Sequence, residues 1–100
     1  MSSGSRNRRH GADAERRTVA WFRERGYNVI RAARGDVCDL IVWNQNVCWL
    51  VEVKATARKP TPSTYRLFRE VCRPGPDGGK LLVWWQPHAR QPVTWEVDGD

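Results

Sequence analysis

The segment "DLIVWNQNVCWLVEVK" (Asp39 to Lys54) constrains this chain more than any other. Two apolar runs rich in β-branched and aromatic residues flank a short polar stretch, which is the signature of a β-hairpin. A two-residue turn at Gln45-Asn46 pairs Trp43 with Cys48, Ile41 with Leu50, and Asp39 with Glu52. Asn46 suits the positive φ that tight hairpin turns require. Side chains alternate along a strand, so Glu52 and Lys54 share a face, and Asp39 joins them because opposed residues point the same way. A slip of one residue would separate them.

Two carboxylates in that position repel. At 4 Å and an effective dielectric of 20 the repulsion is about 4 kcal/mol. A fold keeps such a pair only with a shifted proton or a compensating cation. Lys54 offers one positive charge and a divalent ion offers two; oxygen-only ligation suits Mg²⁺, or Mn²⁺ in its place. A satisfied Asp–Lys–Glu cluster and a metal site therefore compete, and a further carboxylate tips the balance toward metal. From Gly11 to Arg25 the pattern is helical, with Ala12, Glu15, Val19 and Phe22 recurring on one stripe and Gly26 as the stop. Val19 and Phe22 lie within about 40° of Glu15 on the helical wheel, so the Glu15 carboxylate is expected to face the sheet.

The remaining segments place this hairpin in a single domain. Residues 1–10 are read as a disordered basic arm and residues 11–97 as the folded unit. "YNVIRA" (Tyr27 to Ala32) is the first strand. "ATARKPTPST" is a polar linker, followed by a helix capped at Thr61 or Ser63 and running to about Cys72. "RPGPDGGK" reads as turn or loop. "LLVWWQ" and "VTWEV" form a hairpin through "PHARQP", with Trp84 and Trp85 on opposite faces and one of them free to lie outside the core. The order is αβββαββ, an α/β domain with a mixed sheet flanked by helices.

Charge is unevenly distributed. The net +6 sits within residues 1–34, which carry nine Arg against Asp13, Glu15 and Glu24; the rest of the chain is balanced. A basic front on a neutral body points to a polyanion, with nucleic acid ahead of a solubilising tail or a transit-type segment. Cys38, Cys48 and Cys72 form no Cys-x-x-Cys pair, and with His10 and His88 isolated they argue against zinc. Such cysteine usage fits a reducing compartment. No apolar run approaches the ~20 residues of a membrane span, and the N-terminus lacks the apolar core of a signal peptide. A cytoplasmic location is expected, with no membrane partner.

The arrangement resembles the PD-(D/E)xK nuclease superfamily, and within it the archaeal-type Holliday junction resolvases that also occur in phages. The matching stretches are "GADAERR", "RGYNVIRAA", "DLIVW" and "VEVKAT", with "LLVWW" and "VTWEV" matching more loosely. Asp39 follows Cys38 where the superfamily usually has Pro. The loop "RAARGDVCD" lacks the resolvases' Ser, which leaves Asp36 or Arg34 as candidates for its role.

The resemblance implies a restriction-endonuclease-like fold and metal-dependent hydrolysis of DNA at four-way junctions, leaving 5′-phosphate and 3′-hydroxyl ends. Asp39, Glu52 and the main-chain carbonyl of Val53 would hold Mg²⁺, with Glu15 completing the site directly or through water. Lys54 would orient the attacking water or stabilise the transition state. No organic cofactor is implied. Two symmetric nicks from one-site chains call for a homodimer. The expected DNA contacts are Arg6, Arg8, Arg9, Arg16, Arg34, Arg58 and Lys59, reading branched shape and backbone. The alternatives are another nuclease of this superfamily, of nicking, restriction-like or exonuclease type, and a non-catalytic basic DNA-binding protein.

Overall fold

In the computed structural model, which describes residues 3–32 and 37–97 (residues 3–10 as backbone only), the element order is the expected one. Helix α1 (Ser3–Glu24) precedes strands β1 (Asn28–Arg31), β2 (Leu40–Trp43) and β3 (Cys48–Ala55); the single-turn helix α2 (Arg66–Arg69) then leads to β4 (Gly78–Trp85) and β5 (Val93–Glu96). The five strands lie in sequence order across one sheet. The β3–β4 pair is parallel and all others are antiparallel, so α2 and its flanking loops form the crossover. One face of the sheet packs against α1 through Ala14, Phe22, Leu40, Val42, Val51, Val83 and Trp85. The other packs against Tyr65 and Phe68 through Leu82, Ile41, Leu50 and Trp95.

Helix α1 begins eight residues before Gly11, and the expectation of a disordered arm at residues 1–10 is corrected for residues 3–10. No proline interrupts "SGSRNRRH", and once later turns are anchored each added residue needs only the small free energy of propagation. Its buried line runs through Ala14, Thr18 and Phe22, one residue round from the predicted stripe; Ala12 is exposed and Glu15 and Val19 are half-buried at the edge. The helix ends as predicted at Gly26, whose φ of 85° permits the closing bonds Gly26 N–H to Arg23 O and Tyr27 N–H to Phe22 O. The Phe22 and Tyr27 rings seal this end, edge to face at 5.6 Å.

Thr18 locks the helix to the sheet. Its fully buried hydroxyl donates to Ala14 O (2.6 Å) and accepts from Trp85 Nε1 (2.8 Å). Trp84 is buried on the opposite face with Nε1 donating to Thr56 O (2.9 Å), so neither tryptophan lies outside the core.

Three further expectations are corrected. The hairpin register is as predicted from Leu40–Val51 to Trp43–Cys48. Its turn, however, is held by Asn44, whose Oδ1 accepts from Asn46 N–H (2.8 Å) and Val47 N–H (2.9 Å), and Asn46 does not have positive φ. Helix α2 is a single turn, Arg66–Arg69, shorter than the expected run from Thr61 or Ser63 to about Cys72, and no side chain caps its start at Tyr65. Gly78, Gly79 and Lys80 belong to β4 and not to a loop. Gly79 stands opposite Trp49, and a Cβ there would meet the indole Cζ3 at 2.6 Å; the strand uses glycine because a neighbouring ring occupies the space.

Replacing Thr18 with Val keeps the shape and removes the acceptor for a buried indole N–H. Thr18→Val should lower stability by about 1–3 kcal/mol in urea unfolding, while Thr18→Ser should lose much less.

Candidate active site

The site grows from a mismatch in strand length. Strand β3 continues to Ala55 while β2 starts only at Leu40, so β3 has unpaired backbone on that side beyond Val51. Asp39, one residue outside the ladder, fills the gap. Its N–H donates to Val51 O (2.9 Å), its carbonyl accepts from Ala32 N–H (2.9 Å), and its Oδ2 accepts from Val53 N–H (2.8 Å). Main chain on both sides therefore fixes where this carboxylate stands.

Glu52 points toward it. Burial, the charge of Asp39 and hydrogen bonding to Asp39 push the Glu52 carboxyl up to about 8, against an ordinary value near 4.5, with Lys54 pulling the other way. Lys54 Nζ lies 3.7 Å from Glu52 Oε2, and both side chains are largely shielded from water. Glu15 on α1 is raised too, by burial and then by Asp39, and Arg31 opposes the shift. The sequence-predicted quartet of Glu15, Asp39, Glu52 and Lys54 thus forms one electrostatically coupled group.

The coupling has a definite inner circle. Among the described residues, no three His, Cys, Asp or Glu side chains converge closely enough to hold an ion together. Asp39 and Glu52 form a pair, with Glu15 close enough to feel Asp39 but further out. Two carboxylates with an adjacent main-chain carbonyl fit an ion such as Mg²⁺, which keeps several waters and commonly takes only one or two carboxylates from protein. The raised Glu52 reflects burial first and the nearby Asp39 charge second.

The predicted DNA contacts are scattered. Arg6, Arg8 and Arg9 lie on the first turns of α1, and Arg34, with Asp36, lies outside the described residues. Arg16 is exposed and pairs with Asp13. Arg58 is exposed on the loop after β3, and Lys59 there sits 5.2 Å from the centre of the Trp95 ring. Sequence reasoning passed over Arg31, the cation beside Glu15. It faces Leu40 across the β1–β2 pair, next to Asp39, so only that register could have revealed it.

A family model described as archaeal Holliday junction resolvase (hjc) matches residues 6–64, which include Glu15, Asp39, Glu52 and Lys54. The chain belongs to the Hjc family. As an Hjc-family protein it is an endonuclease that binds branched DNA and cleaves Holliday junctions, and its chemistry depends on a divalent metal. The fold agrees. The structure of Hjc from Archaeoglobus fulgidus, a Holliday junction resolvase from an archaeal hyperthermophile, matches with a TM-score of 0.61 at 18% identity, covering 82% of this chain and 74% of that one. No curated protein sequence matches the chain. Among the described residues, no helix is long and apolar enough to cross a membrane.

The Glu52 shift sets the sign of a pH effect. Folded Glu52 holds its proton to about pH 8 and the unfolded group releases it near 4.5. Between those values the native state binds more protons, so stability falls as pH rises; the Glu15 shift acts in the same direction. In EDTA, the melting temperature should fall from pH 5 to pH 8, and Glu52→Gln should flatten that slope.

Proposed function

We propose that this Hjc-family enzyme resolves four-way DNA junctions by Mg²⁺-dependent hydrolysis, with Mn²⁺ able to substitute. Asp39, Glu52 and the Val53 carbonyl would hold the ion, with Glu15 completing the site directly or through water. A divalent ion bound there supplies Lewis acidity, offsetting charge on the phosphate oxygens and making water a better nucleophile at neutral pH. Lys54, held beside Glu52, is the chain's own cation at the reacting phosphate, and it orients water or stabilises the transition state. The observation that carries this reading is the pairing of Asp39 with a Glu52 that retains its proton to about pH 8. A purely structural Asp–Lys–Glu cluster would be balanced by its lysine; here burial and then the charge of Asp39 raise Glu52 in spite of Lys54.

The same proposal takes residues 11–97 as one nuclease domain, preceded by helical turns that carry Arg6, Arg8 and Arg9. These three, with Arg16, Arg34, Arg58 and Lys59, are proposed phosphate contacts, so binding should weaken steeply with salt. A homodimer supplies the two sites that paired nicks require, in the cytoplasm of a prokaryotic or phage-infected cell. Light scattering that finds only monomer at working concentrations would count against the dimer.

The deciding experiment is incubation of the protein with an end-labelled four-way junction, with and without Mg²⁺. Paired symmetric nicks should appear only with the metal. Asp39→Asn should slow cleavage by about 10³-fold or more while junction affinity stays within about threefold, because removing a group that acts in the chemical step need not disturb binding. An Asp39→Asn protein that cuts at the wild-type rate in Mg²⁺ would remove the assignment.

A further inference from the structure

The face of the sheet that carries Asp39 and Glu52 is also the face that α2 covers. Side chains alternate along a strand, and Ile41, Leu50 and Leu82 pack against Tyr65 and Phe68 of the β3–β4 crossover. Asp39 and Glu52 lie two residues along from Ile41 and Leu50, on that same side, and Glu52 pairs directly with Leu82. Cys38, the residue before Asp39, is buried in one cluster with Phe68. The crossover therefore stands next to the acidic pair. It is firmly seated: Phe68 is buried, Tyr65 meets the Trp95 ring edge on at 6.4 Å, and buried Lys80 donates through Nζ to Arg69 O (2.6 Å). Arg73 closes the far side with two N–H groups on Gly78 O (3.1 and 3.3 Å).

This platform presents both apolar surface and charge. Among the described residues four large hydrophobic side chains are exposed, and two of them flank the acidic pair. Leu67, 75% exposed, leaves α2 beside buried Phe68; Val37, 60% exposed, precedes buried Cys38. Each turns outward where its chain neighbour turns in. Their surroundings are basic. Residues 56–77 carry five Arg or Lys against Glu70 and Asp77, although the chain from residue 35 onward is balanced overall. Arg66, next to Leu67, is exposed, and Lys59 is held 5.2 Å from the centre of the Trp95 ring. A second copy meeting this surface about a two-fold axis would set like charges against each other. A polyanion with apolar faces of its own fits both features, and DNA has phosphates outside and base faces within.

We infer that Val37 and Leu67 form an apolar rim that covers the base face left bare where strands exchange in a four-way junction, with Arg66 on an adjoining phosphate. The inference rests on the reading of Asp39, Glu52 and Lys54 as the cutting centre. Apolar wedges enter continuous duplex only by parting stacked bases. At an exchange point the stack is already interrupted, so that cost falls. The rim therefore favours junctions over linear duplex and sets the exchange point at a fixed place beside the acidic pair. Phosphate contacts alone are common to both DNA forms and carry no such preference.

The test compares affinity, in EDTA so that cleavage does not interfere, for a four-way junction and for linear duplex of the same arm sequence. A 2-aminopurine at the exchange point reports base stacking. Leu67→Ser and Val37→Ser should each lower the junction-over-duplex preference by about tenfold, the scale of one aliphatic side chain returned to water. Duplex affinity should stay within about twofold, and the 2-aminopurine response to binding should shrink. Leu67→Met should keep the preference, and Arg66→Gln should weaken junction and duplex alike. Both rim side chains are exposed, so melting temperatures should stay near wild type, which separates lost contact from damaged folding. Serine variants that prefer junctions as strongly as the wild type would overturn the rim. So would a Leu67→Ser protein that falls from dimer to monomer in light scattering, since that assigns the surface to a second copy. Either result leaves the Asp39 assignment standing, because that assignment is read separately from Mg²⁺-dependent cutting.

Discussion

Two carboxyl groups that would separate in water are held together here by backbone hydrogen bonds neither can escape. Asp39 is fixed by bonds to Val51, Ala32 and Val53, and Glu52 is carried by a strand paired with β4 along its length. The ladder's many bonds outweigh one repulsion, so the site remains and seeks positive charge. A proton answers part of that demand, as the raised Glu52 records. Lys54 and Arg31 answer another part from neighbouring positions. In the proposed reading a divalent ion with a phosphate would be the fuller answer, and the Thr18–Trp85 bond holds the helix that carries Glu15 against the sheet.

The basic composition needs sorting by use. Arg17 and Arg25 stack on Trp85 and Trp21, and both also donate to main-chain carbonyls. Arg25 is thereby committed to the fold at the end of α1. Its charge still contributes to the long-range attraction of a polyanion, but it is poorly placed to follow a moving strand. Net charge alone overstates how many arginines meet DNA directly. Those on the first turns of α1 and on the loop after β3 remain the better candidates.

The element order and hairpin register were legible because they follow from periodicity, which local sequence encodes directly. So was the gathering of Asp39, Glu52 and Lys54, since alternation leaves little choice of face. What escaped depended on partners far away in the chain. "GPDGGK" carries every local sign of a loop, yet Gly79 sits in a strand because Trp49 lies over it. Arg31 became visible as a neighbour of Glu15 only through the β1–β2 register. The positive φ assigned to Asn46 belonged to one family of turns, whereas the Asn44 side chain closed another.

The contact between Trp49 and Gly79 makes two distant positions a single evolutionary decision. A side chain cannot be added at 79 while the indole stays at 49, and shrinking 49 alone leaves a hole over the central parallel pair. Neither step is comfortable without the other. Within this lineage the two sites should trade volume together or not at all, and a glycine that looks dispensable by composition is thereby held in place by a ring thirty residues upstream.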